Sequence, residues 1–377
     1  MLRFLALDLV LHLYIALRLV PALPGGMPVL AVALAAIAAS AAFLPFATTS
    51  RGAGRGSQAD RLTYAGLIAA GAFSSLFVLT LVRDVVLMVA HLLPATLLSS
   101  ESFDAFRSAS AAAVPALAVA LTLLGYWSAR RVPRVRRVDI PIDDLPQPLH
   151  GFSIVQVTDL HVGPTIRRAQ VQAVVDRVNA LDADLIAVTG DLVDGSVREL
   201  GAHTLPLGRM TSRHGTYFVT GNHEYYSGVH AWVAELRRIG LRVLLNEHVS
   251  LRHDGAHIVI AGVTDYSAGR FVAGHASDPH RALAGAPEDV VRVLLAHQPR
   301  SALEAQHAGI DLQLSGHTHG GQFVPWNFFV RFYQPFNAGL HRLGKLWIYV
   351  SRGTGYWGPP KRLGAPSEIT HLRLVPA

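Results

Sequence analysis

The sequence has no cysteine among its 377 residues. Disulfide staples, thiolate metal ligands and a cysteine nucleophile are therefore excluded. Charge is also scarce: Asp, Glu, Lys and Arg make up 16% of the chain, against roughly a quarter in ordinary soluble domains. No Walker-type Gly-Lys loop is present. The zinc-protease pattern fails too, because the fourth position after His223 is Ser227 rather than a second histidine. No internal repeat is found.

What the chain has instead is apolar length. Hydrophobic residues account for 51% and the mean hydropathy is +0.32, too apolar for one ordinary soluble domain. The excess lies in the first third, in four runs: Phe4 to Leu23, Met27 to Phe46, Leu62 to Val82 and Ala109 to Trp127. Each is about 20 residues, enough for a helix to cross a bilayer core. Val85 to Leu98 is apolar but too short to span, and reads as a continuation or interfacial piece of the third helix. A cleaved signal peptide is the rival reading of residues 1–23, but Asp8, His12 and Arg18 interrupt it and three further runs follow.

The formal net charge of +7 raises the question of nucleic acid, and the placement of the arginines answers it. Arg3, then Arg51, Arg55 and Arg61, then Arg130, Arg131, Arg134, Arg136 and Arg137 fall on one side of the four spans. Glu101, Asp104 and Arg107 fall on the other. The positive-inside rule places the N-terminus and everything after residue 130 in the cytoplasm. A basic cluster next to a span meets anionic lipid headgroups, so membrane lipids, not nucleic acid, are the expected partners. Arg18 and Asp84 both fall near the outer helix ends and are expected to pair. Asp8 and His12 share one helical face and are read as packing between helices or as a proton path.

Residues 128–150 read as a Pro- and Arg-rich connector between a helical membrane domain (1–127) and a second domain (151–377). There the pattern changes to short apolar strands alternating with helical spacing, which implies an α/β domain. Short adjacent strands over 241–263 suggest mixed or antiparallel pieces, hence a two-sheet sandwich covered by helices.

Polar residues recur at one place in this pattern. Asp159, His161, Asp191, Asn222, His223, His297, His317 and His319 all lie just past the end of an apolar strand, where α/β sheets build their sites. Turn chemistry accounts for Gly, Asn and Asp there, but not for so many imidazoles. Oxygen and imidazole donors without sulfur suit Mn, Fe, Zn or Co. Two carboxylates, one amide and four imidazoles besides His223 exceed the needs of one catalytic ion and fit two divalent metal ions sharing a carboxylate.

The motifs Asp159-x-His161, Gly190-Asp191-x-x-Asp194, Gly221-Asn222-His223-Glu224, His297 and Gly316-His317-x-His319 occur in that order. With them, residues 150–375 resemble the calcineurin-like metallophosphoesterases, and Gly320-Gly321-Gln322 after the last histidine resembles their membrane-attached subgroup. The resemblance implies an αββα sandwich and a dinuclear-metal phosphoesterase. It implies Asp159, His161, Asp191 and His319 on one metal, with Asp191 bridging to a second held by Asn222, His297 and His317. His223 is implied as a non-ligand acid that protonates the leaving oxygen. Many members carry Asp where this chain has Glu224, and a longer carboxylate there could still orient His223.

The expected substrate is a phosphate ester or phosphodiester, of a lipid or lipid-linked molecule or of a soluble nucleotide. A catalytically silent membrane scaffold is the non-enzymatic alternative. The stretch Pro325 to Tyr333 is densely aromatic and reads either as a loop covering the core or as a lip at the membrane interface.

Overall fold

The computed structural model describes residues 2–51, 57–94 and 96–377. Arg55, one of the arginines expected on the inner side, lies outside the described residues. The chain forms two compact units, one of helices and one of mixed α/β structure, with the division at Ser128/Ala129.

The helical unit contains α1 (Leu2–Leu19), α2 (Gly26–Phe43), α3 (Ser57–His91) and α4 (Ser100–Arg130). All four are long and apolar enough to cross a membrane. Much of their apolar surface points outward: Leu2, Leu13, Met27, Val32 and Leu123 are all exposed. This is the pattern of helices solvated by lipid rather than packed in water. The third run continues unbroken to His91, so Val85–His91 extends the span.

The polar residues inside this unit are paired. Arg18 Nε donates to Asp84 Oδ2 at 2.8 Å, as expected, and Tyr14 Oη donates to the same oxygen at 2.6 Å. Arg83 adds bonds to the Arg18 and Arg107 carbonyls and to Ser110 Oγ, tying α1, α3 and α4 together. His12 lies 2.8 Å from Asp8 Oδ1 and 3.0 Å from Ser40 Oγ, and stacks on Phe73. Three helices meet at that ring.

The α/β unit runs β1 (Arg134–Ile142), β2 (Ser153–Val157), α5 (Arg168–Asn179), β3 (Leu185–Val188), α6 (Val197–Thr204), β4 (Thr216–Phe218), α7 (Asn222–Ser227), α8 (Val229–Arg238), β5 (Arg242–Val243), β6 (Glu247–His253), β7 (Ala256–Gly262), α9 (Pro279–Ala282), β8 (Val291–Leu295), α10 (Ala302–Ala305), β9 (Leu312–Ser315), β10 (Gly339–Leu343), β11 (Leu346–Val350) and β12 (Glu368–Pro376). Two six-stranded sheets form, ordered β1-β12-β2-β3-β4-β5 and β10-β11-β9-β8-β7-β6.

Alternation along the strands sets the layers. Ile154, Leu185, Ala187 and Tyr217 of the first sheet face Ile260, Val293, Leu295, Leu314 and Tyr349 of the second. The opposite faces are covered by helices: Val155, Val157, Ile186 and Val188 by α5 and α8, and Val259, Leu294, Ile348 and Val350 by α9 and α10. The result is the expected αββα sandwich.

One segment departs from the sequence reading. Residues 134–142, taken as connector, form β1, which pairs in parallel with β12 from Arg134↔Glu368 to Ile142↔Pro376. Charged residues crowd this strand because it is an edge. Val138, Ile140 and Ile142 still supply its inward face, at a spacing of two hidden among Arg, Asp and Pro. Arg130 is likewise committed to protein: Nη1 donates to Thr165 O at 2.6 Å and to Gln170 Oε1 at 3.0 Å.

Candidate metal centre

β2, β3, β4, β8 and β9 all end at the same rim of the sandwich, and the loops after them carry the candidate ligands. The backbone at these positions is unusual. Asp159, His161, Asp191, His317 and His319 all have positive φ, between 51° and 70°, a region non-glycine residues rarely occupy. Such strain persists where surrounding structure over-determines it, and it clusters at functional sites. Two glycines make the close approach practicable. A Cβ on Gly316 would stand 2.1 Å from Asp159 Oδ2, and one on Gly221 would stand 2.2 Å from Asp191 Oδ1.

Three groups of donors converge. Asp159, His161 and His319 form one, Asp191, His297 and His317 a second, and His161, Asp194 and His223 a third that shares His161. In the first, His161 Nε2 lies 3.1 Å from His319 Nε2, which is 3.4 Å from Asp159 Oδ1. In the second, His297 Nε2 lies 3.2 Å from His317 Nδ1 and 3.1 Å from Asp191 Oδ2. Asp191 Oδ2 is also 3.9 Å from His161 Nε2, so this carboxylate stands between the groups.

The carboxylates are also held from behind. His317 N–H donates to both oxygens of Asp159, Thr158 Oγ1 donates to Asp159 Oδ2, and His223 N–H donates to Asp191 Oδ1. His297 Nδ1 donates to Thr189 O at 2.8 Å, which fixes the ring with Nε2 toward the cluster, the orientation in which histidines bind metals.

These residues fit a pair of divalent cations on the evidence of their own packing. Imidazole nitrogens face one another at hydrogen-bond distance, and a shared cation satisfies both lone pairs. Asn222 Oδ1 is buried and has no hydrogen-bond partner among the described residues. An orphaned amide oxygen is costly, and a cation beside Asp191 would satisfy it. Burial, with His297 second, pushes His317 down to about 3, and burial with Arg362 lowers His319 well below the usual range. Burial thus favours the neutral form of both rings, whereas at His297 burial is outweighed by Asp191, which raises that ring well above the ordinary histidine value. Burial works to raise both carboxyls. At Asp159 it prevails, whereas at Asp191 the His297 ring overrides it and holds the group well below the ordinary carboxylate range.

His223 stands beside the ligands, its ring 4.6 Å from that of His161. Its Nδ1 donates to Asp194 Oδ1 at 2.5 Å, and the same oxygen accepts from His161 Nδ1 at 3.1 Å. Burial alone would lower His223, but Asp191 and Asp194 carry it up to about 9. Glu224, expected as the group that could orient His223, does something else. Its carboxylate accepts the backbone N–H groups of Asp191, Leu192 and Gly221 at 3.0, 2.8 and 2.7 Å. Asp194 takes the orienting position because its carboxylate reaches the ring directly. The motif Asp191-x-x-Asp194 was the available signal for it.

Arg362 had no motif to announce it. This buried guanidinium donates to the carbonyls of His319, Arg352, Gly355 and Ala365, and Nη2 reaches His319 Nδ1 at 2.9 Å. Metal-ligating histidines ordinarily donate their second nitrogen to an acceptor; here that nitrogen faces a donor.

Asp and His donors thus converge at the rim of a two-sheet αββα sandwich. A family model for calcineurin-like phosphoesterases matches residues 152–321. A transmembrane protein with metallophosphoesterase domain from Bos taurus is 42% identical over 278 residues, covering 70% of this chain and 63% of the relative. An uncharacterized metallophosphoesterase from Helicobacter pylori is 39% identical, covering 68% of this chain and 69% of its own length. One from Aquifex aeolicus is 34% identical, with 64% and 91% covered. The chain belongs to the calcineurin-like phosphoesterase family, in a membrane-attached branch. It spans less than two thirds of the bovine relative's length.

Proposed function

We propose that this chain is a membrane-bound, metal-dependent phosphoric ester hydrolase with its α/β unit in the cytoplasm. The observation that carries the reading is the convergence of Asp159, His161, Asp191, His297, His317 and His319 into two groups, together with a buried Asn222 oxygen that has no hydrogen-bond partner among the described residues. Asp159, His161 and His319 would hold one divalent ion, and Asn222, His297 and His317 the other, with Asp191 shared. Ions bound there supply charge to the phosphoryl oxygens and lower the pKa of water.

The chain's own residues do the rest. Asp194 holds the His223 ring by Nδ1 and stabilises its protonated form. Nε2 of that ring is then free to hand a proton to the departing oxygen. Thr158, the His317 amide and the His223 amide hold the two carboxylates in place while charge moves, so little reorganisation accompanies the reaction.

Elemental analysis of protein purified without chelator, together with hydrolysis of bis(p-nitrophenyl) phosphate, tests the reading. Two divalent ions per chain and chelator-sensitive hydrolysis are expected. Full activity at one ion per chain would remove the shared role of Asp191, and a metal-loaded protein without hydrolysis would leave a silent scaffold.

A further inference from the structure

The loop that follows the last ligand turns its aromatic residues outward. Among residues 324–333, the backbone winds through two short helical turns, Trp326–Phe328 and Val330–Phe332. Phe328, Phe329 and Phe332 are 60%, 50% and 73% exposed, and Val324, Trp326 and Tyr333 are exposed beside them. Val330 alone of this run is fully buried. A loop covering the core would have the opposite pattern. The rings form a connected group, with Trp326 and Phe329 centroids 5.9 Å apart and Phe329 and Phe332 6.1 Å apart. Arg331 extends over the Phe332 ring.

The loop is not a loose flap. Backbone bonds at 3.0–3.1 Å close each turn, from Phe328 N to Pro325 O and from Tyr333 N to Val330 O among them. At its start, the backbone of Asn327 packs directly on Gly321, two residues after His319. At its end, buried Gln334 donates to Gln298, the neighbour of His297. Thr318, between the two ligands of the last motif, donates to Asn337 O. Both ends of the aromatic run are thus anchored to the loops that carry the metal donors.

A contiguous exposed apolar patch of this kind marks an interaction surface. Its composition of Trp, Phe and Tyr with an arginine among them is the one favoured where hydrocarbon meets headgroups. The chain supplies such an interface itself, through four membrane-crossing helices. Only three residues, 131–133, separate the end of α4 from β1, so the tether between the last span and the α/β unit is at most about 10–14 Å long.

From these observations we propose that the 324–333 loop inserts its aromatic side chains into the headgroup zone of the membrane the chain spans. The substrate is then an amphiphilic phosphoester held in that bilayer. This rests on the hydrolase reading above, and deepens it. With the rings at headgroup depth, the donors anchored to both ends of the loop stand at the layer where lipid phosphates lie. A soluble phosphoester would not require the patch.

The absence of cysteine makes a direct test available. Phe328→Cys and Phe332→Cys, each in the full chain, carry a single nitroxide label in nanodiscs of phosphatidylcholine and phosphatidylglycerol. Glu288→Cys, at an exposed position elsewhere on the unit, is the reference. Lipid-soluble oxygen should relax labels 328 and 332 more than a water-soluble nickel chelate does, with the reverse at 288. Preferential nickel access at 328 and 332 would overturn the proposal. So would shielding from both probes, which would indicate a protein partner.

Hydrolysis supplies the second readout. Replacing Trp326, Phe328, Phe329 and Phe332 together by Ser should lower release from vesicle phosphatidic acid or phosphatidylglycerol by ~10-fold or more, while bis(p-nitrophenyl) phosphate hydrolysis changes less than ~2-fold. Equal losses on both, or hydrolysis of the soluble diester with none of either vesicle lipid by the unsubstituted protein, would overturn the substrate assignment. Failure of the unsubstituted protein on every substrate would instead sink the hydrolase reading, and the labels would still report where the loop lies.

Discussion

One oxygen of Asp194 accepts both His223 Nδ1 and His161 Nδ1, so a single carboxylate positions the proposed acid and a metal donor together. His223→Ala should leave metal content intact. It should cut turnover of a phosphodiester with a poor leaving group by ~10²–10⁴-fold, and of a nitrophenyl ester far less. Asp194→Asn should lower both and also weaken metal retention. The double variant should lose little beyond the worse single one, because the residues act as a unit. Steady-state kinetics on the two leaving groups, paired with elemental analysis, check all three; equal losses for His223→Ala on both substrates would contradict the acid role.

Glu224 predicts a stability effect. Its carboxylate is the acceptor for three buried backbone N–H groups. Burial, followed by the charge of Asp191, pushes it up to about 8. Glu224→Ala leaves those donors without an acceptor, at roughly 1–3 kcal/mol each where water cannot reach them. Glu224→Gln keeps an acceptor oxygen and should be the milder change. Thermal unfolding of the two variants should rank them in that order, and Ala should also release metal because Gly221 and Asp191 shift together.

His214 and His371 lie away from the metal donors and set a pH dependence. Burial, with His253 second, lowers His214, and burial, with Arg137 second, lowers His371. Asp184 opposes both shifts without reversing them. A base with a depressed folded pKa is protonated first in the unfolded chain. The stability is therefore complete above the ordinary histidine value of 6.5 and is lost as pH falls below it. Melting temperature should drop between about pH 7.5 and about pH 5.5, and His214→Gln should flatten part of that drop. An unchanged slope in the variant would remove His214 from the account.

Orientation follows from arginines alone and is open to a direct check. A fluorescent reporter fused after Ala377 that matures only in the cytoplasm should give signal, and a reporter active only outside should not. The opposite pattern would overturn both the charge asymmetry and the count of four spans.

The parts of this protein legible in its sequence were those that obey one period at a time. The four apolar runs became α1 to α4, and buried strands such as Leu185–Val188 ended where their polar neighbours begin. The candidate ligands stood out because Gly, Asp and His recur at five strand ends, and the structure brings six of them into the first two groups described above. β1 was not legible, because an edge strand bearing Arg134, Arg136, Arg137 and Asp139 resembles a linker. Arg362 was not legible because its partners are backbone carbonyls from separate loops, and no spacing encodes those. Asp194 was visible as a motif member, but its role depended on which carboxylate reached the His223 ring, a question of side-chain reach rather than of order along the chain.

The pairing of β1 with β12 bears on how the domain is made. Asp139 and Arg373 are salt-bridged neighbours 234 residues apart in sequence. During synthesis the first strand of the sheet leaves the ribosome next to an inserted helix and finds no partner until nearly everything after it has been translated. For that interval β1 and β2 are separated by a gap only β12 can fill, and an unfilled gap in a sheet invites pairing with another chain. Charged side chains on an edge disfavour such pairing, so the arginines that hid β1 from sequence reading also oppose its pairing with another chain before the fold is closed.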